Sequence, residues 1–142
     1  IALSGDLLML TYKGEILLCA LKLGTGTSIV DNQHAAGLNG NVDLKTGITN
    51  TPFLDLDLNE YYRHPTTNEI LLGVQVPNWE ILKTKVTAAA KLIPEIPYLG
   101  WDVAILENDV AIIEANEAPG HDLVQGAPKI GVYGRVRDIR KR

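Results

Sequence analysis

Gly100-Trp101-Asp102-Val103-Ala104-Ile105-Leu106-Glu107-Asn108-Asp109-Val110-Ala111-Ile112-Ile113-Glu114-Ala115-Asn116-Glu117 reads as two apolar strands around a short polar turn, with one carboxylate set into each strand. Trp101 to Leu106 and Val110 to Ala115 carry the β-branched and aromatic residues that favour strands, and Glu107-Asn108-Asp109 has the composition of a turn. With those three residues as the loop, Leu106 pairs with Val110 and Asp102 falls directly opposite Glu114. Asn116 then shares their face two residues further on. A two-residue turn at Asn108-Asp109 would instead set Asp102 opposite Ala115. Facing carboxylates repel each other and are costly to desolvate, so the first register demands a compensating positive group. A divalent cation is a natural one, because Mg²⁺ takes oxygen ligands and shares them with substrate phosphates. The alternative is a half-exposed sheet whose two acids point to solvent, each beside its own lysine.

Working outward, the N-terminal segment repeats the hairpin pattern: Leu3 to Tyr12, the turn Lys13-Gly14, then Glu15 to Leu23. A second hairpin is expected over Val42 to Ile48, turned at Thr46-Gly47. Residues 50–69 read as a loop, and Ile70 to Val76 as a short strand stopped by Pro77. The main helix is expected from about Asn78 to Ile93, with Asn78 as N-cap and Glu80 at the positive end of the dipole. Leu82, Val86, Ala89, Ala90 and Ile93 recur at helical spacing, and Pro94 ends the helix. Strands joined by hairpin turns, with one main helix to cover them, predict an α+β fold with a mostly antiparallel sheet.

Composition bounds the function. The 142 residues, 46% apolar and 21% charged, fit one globular domain over residues 1–142 and exclude a disordered chain or coiled coil. No apolar run approaches the ~18–20 residues of a membrane span. The net charge of −4 divides into −9 over residues 1–128 and +5 over residues 129–142. A body of −9 argues against a nucleic-acid partner. The basic tail 128–142, with Arg135, Arg137, Arg140, Lys141 and Arg142, is expected to be a solvated helix end or loose terminus. The lone Cys19 sits in an apolar run and cannot form an internal disulfide, which favours the core of a cytoplasmic protein. Trp79 and Trp101 are expected to pack, and His64 is given no role. Gly24-Thr25-Gly26-Thr27-Ser28 has the makings of a phosphate-cradling nest but lacks a P-loop ending, so a plain turn is expected.

Three segments together carry a family resemblance: Gly100-Trp101-Asp102-Val103-Ala104-Ile105, Ile112-Ile113-Glu114-Ala115-Asn116, and Pro119-Gly120-His121-Asp122-Leu123. They resemble the end of an ATP-grasp domain, most closely the sugar-transfer-associated group, and are also similar to glutamate-ligase-like ATP-grasp proteins. Ser28-Ile29-Val30-Asp31-Asn32-Gln33-His34-Ala35-Ala36-Gly37-Leu38 resembles that family's Asp-Asn-x-His-x-Gly-Gly segment, with Ala36 at the first glycine. The resemblance implies that Asp102, Glu114 and Asn116 hold Mg²⁺ (or Mn²⁺) bridging the phosphates of ATP. It also implies that Asn32, His34, Lys22 and His121 lie on the phosphate or substrate side. Lys22 stands where related ligases often place an arginine. ATP-grasp domains clamp ATP between two subdomains, so this chain is expected to be the C-terminal half, its N-terminal subdomain missing; a first residue of Ile1 agrees with a fragment.

The implied function is the metal- and ATP-phosphate-binding half of a ligase. An unknown carboxylate substrate is phosphorylated by ATP to an acylphosphate, with a link to polysaccharide or cell-envelope modification. The parent is expected to be an ATP-grasp ligase and the fragment alone inactive. The competing reading is a non-catalytic α+β binding or interaction module that keeps the fold.

Overall fold

The computed structural model describes residues 5–25, 37–119 and 126–142. Its first hairpin joins β1 (Gly5–Tyr12) to β2 (Glu15–Leu23) through the two-residue turn Lys13-Gly14. Both turn residues have positive φ, 49° and 81°, as a right-twisting hairpin requires. After β2 come β3 (Leu38–Asn41), β4 (Phe53–Leu54) and β5 (Glu60–Tyr61), then α1 (Trp79–Lys91), β6 (Tyr98–Ile105), β7 (Val110–Asn116) and α2 (Tyr133–Arg140). The strands form one seven-stranded antiparallel sheet in the order β5-β4-β3-β2-β1-β6-β7. The α+β class with a mostly antiparallel sheet and one main helix is therefore the observed fold.

Alternation along β1, β2 and β6 sends every second side chain to each face. One face carries Leu7, Met9, Cys19, Leu21, Trp101 and Val103, which form the main core with Trp79, Leu82, Val86 and Ala90 of α1. Cys19 is fully buried there and burial pushes its thiol far above the ordinary range, so it is inert core. Trp79 donates its indole N–H to Leu44 O at 3.2 Å and Trp101 donates to Thr11 Oγ1 at 2.8 Å, which satisfies both buried rings.

The opposite face is divided. Leu8, Leu10, Leu17, Leu18 and Ala20 are covered by Val132, Val136 and Ile139 of the C-terminal segment. Leu17 is the extra residue of a β-bulge between β1 and β2, and its carbonyl accepts a hydrogen bond from the Arg135 guanidinium. Arg142 pairs with Glu15. The basic segment thus docks α2 through its apolar side, while Arg137, Arg140 and Lys141 stay exposed. Beyond the cover of α2 this face mixes polar residues, among them Asp6, Lys22, Asn39, Asp102, Glu114 and Asn116, with the apolar Leu54, Ala104 and Ala111.

Several elements differ from expectation. Val42 to Ile48 makes a tight turn closed by a single bridge, Val42 to Thr49, rather than a hairpin of two strands. Asp43 organises that turn by accepting from the backbone N–H groups of Lys45 and Thr46. Ile70 to Val76 contributes only isolated bridges, because Gly73 at φ 76° turns the chain inside it. Residues 50–69 contain β4 and β5, too short to leave an alternation in the sequence.

Candidate functional site

The site begins at the β6–β7 turn. Ile105 pairs with Val110, so the loop is Leu106 to Asp109, four residues rather than three. A regular ladder from that start would put Asp102 opposite Ile113 and send Glu114 to the core face beside Trp101. It does not, because the register shifts by one between Asp102 and Val103. Val103 pairs with Ile112, Ile113 is extruded with 57% of its surface exposed, and Asp102 then pairs with Glu114. The expected facing of the two acids is present, but a β-bulge and not the loop length produces it. Bulges re-aim side chains in this way. Asn116 follows on the same face, opposite Gly100. Gly100 is required there: a Cβ would lie 2.4 Å from Cβ of Pro119, which packs over it.

Three ladder rows place the polar side chains of this face among its apolar ones. Asn39, Lys22, Asp6 and Ala104 form one row across β3, β2, β1 and β6; Asn41, Ala20, Leu8, Asp102 and Glu114 form the next; Leu18, Leu10, Gly100 and Asn116 the third. Lys22 reaches diagonally over β1 and places Nζ 3.0 Å from Oδ1 of Asp102. Their side chains are 18% and 20% exposed, so the pair is largely sheltered from water. Glu114 is exposed, accepts from Nδ2 of Asn116 at 3.2 Å, and has no basic partner among the described residues. Of the two facing carboxylates, one is neutralised by a lysine and one is not.

Asn32, His34 and His121 lie outside the described residues. Of the glycine-rich segment only Gly24 and Thr25 are described. Their carbonyls are held by His64 Nε2 at 2.8 Å and Thr66 Oγ1 at 2.6 Å. His64 Nδ1 accepts from the backbone N–H groups of Thr66 and Thr67, so Nε2 is the nitrogen that donates to Gly24 O. A histidine to which sequence reasoning gave no role therefore anchors the exit of β2, just beyond Lys22. The Lys22–Asp102 pair was equally invisible, since it depends on β1 pairing with β6 across some 90 residues of chain.

The donor chemistry suits Mg²⁺. Asp102, Glu114 and Asn116 offer hard oxygens from adjacent strands, and this ion is usually held by one or two carboxylates with phosphate oxygens completing its shell. Among the described residues no group of three His, Cys, Asp or Glu side chains forms a self-sufficient metal cage.

A family model described as sugar-transfer-associated ATP-grasp matches residues 6–141. No curated protein matches the chain. Two solved structures of the ATP-grasp ligase PsnB share the fold. One is complexed with a minimal precursor, with a TM-score of 0.54 over 98% of this chain and 35% of that one. The other, complexed with a phosphomimetic variant of the minimal precursor, Mg and ADP, has a TM-score of 0.53 over 97% of this chain and 32% of that one. Identity is 11% in both, a likeness of fold alone, and the chain spans about a third of the length of these structures. The family match runs from Asp6 on β1 through the whole sheet to the end of α2 and includes every polar residue of the divided face: the chain belongs to the sugar-transfer-associated ATP-grasp family.

Proposed function

We propose that residues 1–142 form one domain, the C-terminal, metal- and phosphate-binding half of an ATP-dependent carboxylate ligase that passes through an acylphosphate. The observation that carries this reading is the bulge at Ile113, which turns Glu114 away from the core and sets it opposite Asp102 on the polar face. A sheet gains nothing in stability from facing two carboxylates, so the arrangement asks for a cationic ligand. Asp102, Glu114 and Asn116 would hold Mg²⁺ or Mn²⁺, which supplies neutralisation of the charge on a transferring phosphoryl group. Lys22 brings a point charge suited to a phosphate oxygen. Asn32, His34 and His121 are assigned to the phosphate or substrate side through the family resemblance alone.

ATP, an unidentified carboxylate and an N-terminal ATP-grasp subdomain are the proposed partners, in a cytoplasmic setting with a link to polysaccharide or cell-envelope modification. No helix among the described residues is long and apolar enough to cross a membrane. One observation favours the second reading, a non-catalytic module: Lys22 already neutralises Asp102. Magnesium-dependent nucleotide binding separates the two.

The test is Glu114→Gln in the full-length ligase. Magnesium-dependent ATP turnover is expected to fall by roughly a hundredfold, as for loss of a group acting on transition-state charge. The fold should persist, and thermal stability without metal should be unchanged or slightly raised, because the substitution relieves repulsion with Asp102. Turnover within a few-fold of the parent at saturating Mg²⁺ would remove Glu114 from the metal site.

A further inference from the structure

We infer that Lys22 is a placeholder for the cation: its ammonium and the metal compete for the same carboxylate, Asp102. The inference deepens the function proposed above and rests on it. Three observations carry it. The Lys22–Asp102 contact is a direct ion pair at 3.0 Å between two side chains that are about four-fifths buried. Lys22 makes it by crossing over β1 to the neighbouring row, in which Leu8 lies between Ala20 and Asp102. Glu114, facing Asp102, has no basic partner among the described residues, so the one ammonium sits at one end of a two-carboxylate site.

Mg²⁺ binds carboxylate oxygen at ~2.0–2.1 Å. A dication on Asp102 and an ammonium in contact with the same carboxylate are like charges in a sheltered place, where repulsion is poorly screened. Lys22 must therefore release Asp102 as the metal enters. Its four-carbon stem, already stretched over β1, lets the ammonium swing to a new acceptor, and a phosphate oxygen arriving with the metal is the acceptor this chemistry supplies. The free chain in this way carries only part of the repulsion its site would otherwise have, and metal without phosphate is disfavoured. Metal and phosphate should each strengthen binding of the other, since coupling of this kind is reciprocal. Lys22 is a positioning residue in this account. A purely structural lysine, holding the sheet face together, would have no such effect on the metal.

The experiment measures binding of Mn²⁺ alone to the 142-residue chain by electron paramagnetic resonance, which counts free ion directly. Lys22→Met should bind Mn²⁺ about fivefold more tightly than the parent, the upper range for loss of a competing, partly exposed ion pair. Lys22→Gln serves the same purpose if the Met variant does not fold, as judged by its thermal melt. Lys85→Met removes an equal charge at the β6–β7 turn, where Lys85 pairs with Asp109, and should leave the affinity unchanged. Equal or weaker binding in both Lys22 variants, with Asp102→Asn still abolishing it, overturns the placeholder role and leaves the metal site standing. A gain as large in Lys85→Met reduces the effect to net charge and overturns it too. Mn²⁺ binding unaffected by both Asp102→Asn and Glu114→Gln, or absent throughout, overturns the metal site and the placeholder together.

Discussion

Asn78 shows how a single residue can be read for the right place and the wrong task. Its position before Trp79, with Glu80 in the first turn, marks the helix start, and α1 does begin there. The side chain makes no capping hydrogen bond. The backbone is left-handed, φ 60°, and Nδ2 donates to the carbonyls of Leu106 and Asp109 at 3.0 Å each. Asn78 thus ties the start of α1 to the turn from which β7 departs toward Glu114. Asn tolerates the left-handed region and brings a donor, a combination no local pattern distinguishes from a cap. Asn78→Ala should lose both bonds and strain the backbone, for about 2–3 kcal/mol in urea unfolding. Asn78→Gly, free of the strain, should lose about 1 kcal/mol less. Equal losses would mean that the backbone conformation is not what selects Asn.

Among the elements, those with a long apolar period were legible and those made by pairing alone were not. β1, β2, α1, β6 and β7 could be read from alternation, helical spacing and turn residues. β3 is Leu-Asn-Gly-Asn, poor in strand formers, and exists because the edge of β2 is there to pair with. The bulge in β7 is the informative case: two consecutive isoleucines give no sign which one is extruded. A three-residue loop without a bulge gives the same facing of Asp102 and Glu114, whereas the structure has one more residue in the loop and one more in the strand. The two differences cancel in register. Deleting one isoleucine of the Ile112-Ile113 pair should therefore leave an uninterrupted ladder with Glu114 still opposite Asp102. Thermal melting should move by no more than a few degrees, and Mn²⁺ affinity should be retained. A variant that folds but loses Glu114-dependent Mn²⁺ binding would mean that the deletion had flipped Glu114 to the other face.

At the scale of the whole molecule, acid should destabilise the fold through particular carboxylates. Backbone hydrogen bonds led by Thr46 hold Asp43 below the ordinary carboxylate range, the Asn59 side chain leads in doing so for Asp55, and Lys85 for Asp109. A depressed folded pKa contributes stability that is present above the unfolded value, ~3.9, and is lost as pH falls through the folded one. The urea midpoint should therefore drop as pH is lowered from about 5 toward 2. Asp55→Asn should flatten that drop, since Asp55 accepts from Asp57, Asn59 and Tyr61 at once. A slope unchanged in the variant would assign acid sensitivity elsewhere. Asn32, His34 and His121 rest on the family resemblance. The face proposed to hold the cation is that of Lys22, Asp102, Glu114 and Asn116. The most direct measurement is paramagnetic broadening of the ¹⁵N-labelled 142-residue chain by substoichiometric Mn²⁺. Amide signals of residues 101–103 and 113–116 should broaden first, together with that of Lys22, and excess Mg²⁺ should restore them. Broadening that starts instead at the acidic turn of Asp55 and Asp57, or at Asp109, with residues 102 and 114 unaffected, would contradict the assignment of the cation site.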